Sequence, residues 1–182
     1  MNRLPLAQVT LCAVDCEVPA LAALALLQAQ RGIAFGRVVL FTRGWLPTVV
    51  LPELEVVEIE PLPGRADVAD FVARRLHAHI GTSHALLMRW DAGVLNPGAW
   101  SDEFLVADYL APPGQSTDAG GLPGLSMRSR RWLRAGADPR LTEPRLADAD
   151  LLGTHRGCSA SGANCTPCAA SRKPRWVPRR SA

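Results

Sequence analysis

Apolar positions along this chain come in two alternating rhythms. The run "QVTLCAV" (Gln8 to Val14) is β-rich and stops at Asp15, and "VPALAALALLQAQRG" follows with Pro19 in a first helical turn and Gly32 as a stop. This predicts a strand and then a buried helix. "RVVLFT" (Arg37 to Thr42) and, beyond a Pro-containing loop, "EVVEIE" (Glu55 to Glu60) read as further strands, while "RADVADFVARRLHAHI" (Arg65 to Ile80) puts Val68, Phe71, Val72 and Leu76 at helical spacing. "SHALLMRW" (Ser83 to Trp90) is again a continuous apolar run, and its lack of strict alternation suits a strand covered on both faces. Strands and helices in this order predict a largely parallel sheet sandwiched by helices.

The rhythm changes at Asn96. Asn96 as cap and Pro97 in the first turn open a short helix through Trp100, after which "EFLVADYLAPP" extends again and predicts a mixed sheet edge. Residues 112–124 are loop by composition, and "LSMRSRRWL" beyond them predicts a strand running into a helix. The longest apolar stretch, Val18 to Leu27, falls short of the roughly 20 residues that cross a bilayer, so no membrane span is expected. An acidic, polar turn interrupts the N-terminus where a secretory signal would be apolar, which makes cytoplasmic residence the expectation.

Charge divides the chain in two. The 182 residues carry a formal net charge of +3, yet everything after Asp150 lacks acids and holds six basic residues; removing these from the 20 leaves 14 against 17 acids before that point. A domain over residues 1–150 is therefore net negative, which argues against a whole-domain nucleic-acid footprint. Residues 151–182 are a basic tail rich in Ala, Arg, Pro, Ser, Gly and Cys. Their composition is that of an unstructured segment, and equally that of a GC-rich coding sequence read out of frame. The five cysteines, two in the body and three in the tail, do not make a disulfide framework.

Ligands of open α/β sheets bind beyond the carboxyl ends of strands, and two acids stand there: Asp15 after the first strand and Asp91 after "HALLMRW". Carboxylates in such places hold ribose hydroxyls or hard cations such as Mg²⁺ and Mn²⁺; they serve equally as turn or cap residues. Ser83 beside His84 lacks a nucleophile elbow, and neither a phosphate-cradling Gly-rich loop nor a dinucleotide fingerprint is present. His77 and His79 point to different faces of the predicted helix and read as surface residues. In the tail, His155, Cys158, Cys165 and Cys168 have zinc-like x2 spacings, with an unusually short loop between the pairs; a small zinc or nucleic-acid-binding module centred there is a third reading of the chain.

The stretch "HALLMRWDAGVLNPGAWSDEFLVADYLAPP", the later "LSMRSRRWL" and the opening "VTLCAVDCEVPALAALALLQAQRGIAFGRVVLFT" together resemble a bacterial family of glycosyltransferase-like proteins classed as a domain of unknown function. The resemblance spans approximately Val9 to Leu133 and centres on Trp-Asp-x-x-x-Leu-Asn-Pro-x-x-Trp. It implies a Rossmann-like, nucleotide-diphospho-sugar transferase (GT-A-like) sheet flanked by helices, with the C-terminal part incomplete. It also implies a nucleotide-sugar donor, an unknown glycan or other acceptor, a place in surface-polysaccharide synthesis, and a divalent cation (Mn or Mg). Asp15, Asp91, Asn96 and Arg128 would contact the nucleotide sugar, and Asp91 the metal. Three departures accompany it: "DYLAPPG" stands where the family has Asp-Tyr-Gly-Ala-Pro-Trp, "GGLPGLSMRSRR" replaces a Gly-Asn-Gly-Gly-Phe-Ser turn, and a later Glu-Asp pair that would supply the base survives at best as Asp148 or Asp150. A catalytically inactive remnant of the same fold is thus the alternative to an enzyme.

Overall fold

The structure, a computed structural model, describes residues 3–112, 122–138 and 140. Six strands form one sheet in the order β3-β2-β1-β4-β6-β5. They are β1 (Leu4–Val14), β2 (Ile33–Thr42), β3 (Glu55–Glu58), β4 (His84–Met88), β5 (Tyr109–Leu110) and β6 (Leu125–Ser129). The first four run parallel, and β6 pairs antiparallel with both β4 and β5. The chain steps outward from β1 to β2 and β3, then returns to the opposite edge of β1 with β4. The expected Rossmann-like α/β class, with a mixed edge, is the one observed.

Period-two alternation sorts the strand side chains onto two faces. Leu11, Leu40, Leu86 and Met88 join α1 (Pro19–Ala29) in one core, which the segment through Trp100 and Phe104 also covers. Cys12, Val39, Phe41, Ala85 and Leu87 join α2 (Arg65–Asp70), its continuation and α3 (Arg130–Gly136) in the other. Both sheet faces are therefore dry, which is why the strand sequences read as unbroken apolar runs. Helix α1 is built of Ala and Leu, strong helix formers, and its apolar character runs nearly all round, leaving Leu21 and Leu24 exposed.

Several elements differ from their sequence expectation. The predicted helix over residues 65–80 is α-helical only to Asp70; it widens into a π-helical turn at Phe71–Arg75 and tightens into a 3-10 turn at Leu76–Ala78. The side-chain spacing survives the change, because Phe71, Val72, Leu76 and Ile80 all reach the second core. His79 is not a surface residue: its ring lies 5.1 Å from that of Phe41 and 6.0 Å from that of Phe71. "EFLVADYLAPP" is extended only at β5, with a 3-10 turn at Asp102–Val106 before it. Among the described residues no helix is long and apolar enough to cross a membrane.

Between Leu6 and Thr10 the register of β1 against β2 shifts, and there the Ala7 carbonyl presses on Gly36. A Cβ on Gly36 would stand 2.0 Å from that oxygen, so only glycine lets the bulge close. Gly36→Ala is expected to cost about 2–3 kcal/mol by urea unfolding, as overpacking against backbone does. Gly81→Ala, whose Cβ meets nothing within 4 Å, is expected to stay within about 0.5 kcal/mol of the parent.

Candidate functional site

Because β2 and β4 flank β1 on opposite sides, the loops leaving the carboxyl ends of β1 and β4 diverge and open a crevice between them. A cavity of about 180 Å³ lies there, walled by Val14 to Glu17 after β1, by Leu87 to Asp91 at the end of β4, by Gly64 and Arg65 at the start of α2, and by Leu122. It has room for part of a nucleotide. A wider hollow of about 480 Å³ lies at the amino ends of β2 and β3, but its charged groups already pair as Arg3 with Glu53 and Arg37 with Glu55. The crevice is the better candidate, since its position follows from topology.

Both strand-end acids line it. Asp15 Oδ1 accepts from the backbone N–H groups of Glu17 (2.9 Å) and Val18 (2.7 Å), shaping the turn into α1. The turn-residue reading therefore applies to Asp15, although it also faces the cavity. Asp91 is engaged differently: Arg89 donates from Nε to Oδ1 at 2.8 Å and from Nη2 to Oδ2, a bidentate fork on one carboxylate. That hydrogen-bonded guanidinium holds the Asp91 carboxyl below the usual range, against the opposing effect of partial burial; Arg65 across the cavity pulls the same way. Asp15 in turn adds to the field that stabilises the Arg89 cation.

Asn96 lies apart from this cavity. It is exposed, and its side chain accepts from Gly98 N (3.1 Å) to cap the turn Pro97–Ala99, whose Pro97 lies against Gly32 at the start of β2. Asn96 is thus a cap, as its position before Pro97 predicts, and does not line the crevice. Arg128 does not line it either: it is only 2% exposed, on the face of β6 that carries Ser126. Its Nε donates to Ser126 Oγ at 3.3 Å, its guanidinium lies 5.5 Å from the Tyr109 ring centroid, and its Nη2 has no hydrogen-bond partner among the described residues. Ser126 is the register partner of Leu87, a wall residue, while Arg128 itself pairs with Ala85 and stays out of the cavity lining. Burial pulls the Arg128 pKa below its ordinary value, and the neighbouring Cys12 thiol, fully buried, is pushed up to about 12. Asp148, Asp150 and the tail residues His155, Cys158, Cys165 and Cys168 lie outside the described residues.

The two cations of the cavity, Arg65 and Arg89, were not singled out by sequence reasoning. Arg89 was read as strand interior, although a charge directly after "HALLM" marks where burial ends. Ser83 is no nucleophile: its hydroxyl donates to the Gln8 carbonyl at 3.0 Å, and it stands 3.0 Å from His84 Nδ1.

For a hard cation, the strand-end pair Asp15 and Asp91 offers carboxylate oxygens, with Glu17 also on the wall. Nucleotide-bound Mg²⁺ is typically held by one or two carboxylates plus substrate phosphates and waters, so this pair fits a cation that arrives with phosphate. Among the described residues no group of three or more His, Cys, Asp or Glu could hold a metal alone.

No protein family's sequence profile matches the chain, and none of the curated proteins matches it. Among solved structures it is similar to the mannosyltransferase PcManGT from Pyrobaculum calidifontis in complex with GDP-Man and Mn²⁺, at 11% identity and a TM-score of 0.48, over 74% of this chain and 49% of that one. The chain thus spans about half the length of that protein. A likeness at this level fixes neither family nor activity.

Because the Asp91 carboxyl titrates below its ordinary value of 3.8 in the folded state, its pairing contributes fully above that value and is lost as pH falls through the lower folded one. The stability gap between the parent and Asp91→Asn, measured by urea unfolding, should be constant above about pH 5 and close towards pH 2. Arg128→Met removes a buried cation with an unpartnered nitrogen, and is expected to leave stability unchanged or raise it by about 1 kcal/mol or more. A loss of that size would show that the Ser126 and Tyr109 contacts outweigh the charge.

Proposed function

We propose that the chain is a glycosyltransferase-like protein of the bacterial family it resembles, and that it binds a nucleotide-sugar donor in the crevice between β1 and β4. The observation that carries this reading is one cavity, at the point where the strand order reverses, that holds two strand-end carboxylates and two guanidinium groups. Glycosyl transfer expels a diphosphate, and the developing charge needs fixed positive groups or a cation nearby. Arg65 and Arg89 supply such groups at the wall. Asp15, beside the end of β1, takes a donor hydroxyl in this reading. A divalent cation, held by Asp91 with Asp15 near it, supplies further charge to offset the diphosphate when bound. Transfer to a surface-polysaccharide acceptor is the activity proposed for the whole protein.

A second reading, a donor-binding protein without turnover, is favoured by the fork of Arg89 on both oxygens of Asp91, which leaves that carboxylate committed. Nucleotide sugars screened by thermal shift with and without Mn²⁺ test the shared part of both. A donor at 100 times its dissociation constant stabilises by about 2.7 kcal/mol, which is a shift of roughly 5–11 °C for a domain of this size. Asp91→Asn is expected to remove the Mn²⁺-dependent part. No shift with any donor would refute donor binding; a shift without sugar release in the presence of acceptors would establish the second reading.

A further inference from the structure

The cavity wall carries Asp15, Glu17 and Asp91 against Arg65 and Arg89, one negative charge in excess. A phosphate entering alone meets that excess. A divalent cation entering alone meets Asp91 with both oxygens already taken by Arg89. A divalent cation and a guanidinium brought close together on one carboxylate repel each other, so the cation competes with Arg89 for Asp91. The backbone of the pair is pinned, since Arg89 N donates to the Gly124 carbonyl at 2.8 Å and Ala92 N to the Arg89 carbonyl at 3.1 Å. Only the side chains can rearrange, and Arg89, 41% exposed, has the freedom to do so.

We propose that Arg89 is an exchangeable counter-ion: it holds Asp91 in the free protein and passes to a ligand phosphate when a divalent cation takes Asp91. Arg89 then faces the same space as Arg65, which makes no ion pair among the described residues, and two guanidinium forks on one phosphate group are a strong arrangement. With a divalent cation in place the wall passes from one negative charge in excess to one positive, so each ligand prepares the site for the other. Cation and phosphate therefore bind with positive coupling, and reciprocity requires the same factor in both directions. The inference rests on the donor-binding reading only for the identity of the phosphate's owner.

Its test uses Mn²⁺ and inorganic phosphate, without nucleotide. Mn²⁺ binding to the full chain is followed by the loss of the free-ion electron paramagnetic resonance signal, with and without phosphate, against protein-free blanks that account for Mn²⁺–phosphate complexes. In the parent, saturating phosphate should tighten Mn²⁺ at least about 5-fold. Arg89→Gln should bind Mn²⁺ more tightly than the parent when phosphate is absent, and phosphate should change that affinity less than it does in the parent. Arg89→Lys, which keeps the charge without the fork, should retain part of the coupling and guards against a folding defect in the first variant. Adding Asp91→Asn to Arg89→Gln should abolish Mn²⁺ binding. Phosphate-independent Mn²⁺ affinity in the parent, or unchanged or weaker Mn²⁺ binding in Arg89→Gln, would overturn the exchange. Either result leaves the donor screen standing, and failure of that screen leaves this measurement interpretable.

Discussion

The parallel pairing of β1 on both of its edges is the constraint on which the rest of the molecule depends. Val9 to Cys12 pair with residues 84–87 on one side, and Thr10 to Val14 pair with residues 37–41 on the other. From Thr10 to Cys12 neither edge of this strand meets water, and neither does either face. Its alternation therefore assigns Leu11 to one core and Cys12 to the other, and its neighbours must follow suit. The same arrangement sends the loops after β1 and β4 to opposite sides, so the crevice is a by-product of how the sheet is filled.

What the sequence revealed is what burial on two faces demands. "QVTLCAV", "RVVLFT" and "HALLMRW" are apolar throughout because their strands have no wet side, and such runs are legible without any partner being known. Strand order is not written in the runs. The π-helical turn at Phe71–Arg75 was hidden for a related reason: its apolar residues still reach the core, and spacing alone does not separate a widened turn from a regular one. Strand β5 is only two residues long, too short to carry a pattern.

The site was legible in its acids and illegible in its cations. An aspartate at the end of an apolar run declares itself, whereas Arg89 hid inside that run and Arg65 inside a helix start. Arg128 was noticed for its neighbourhood but lies at a depth that sequence does not encode, since an arginine within a strand is usually at an edge or surface. Asn96 shows the converse case: its cap geometry was readable, and its distance from the crevice was a matter of where the following chain runs. The electrostatic balance of the crevice emerges from groups contributed by β1, β4 and α2, which no local window contains.

The double pairing of β1 also orders events while the chain is being made. β2 is complete at Thr42, but β4 begins only at His84. At synthesis rates of about 5–20 residues per second, the second edge of β1 waits roughly 2–8 seconds for its partner. During that interval a long apolar strand shows an open row of hydrogen-bonding groups, the condition that recruits a second nascent chain. The crevice, whose walls draw on residues from Val14 to Pro123, cannot close on the ribosome until the chain has been made well beyond β4.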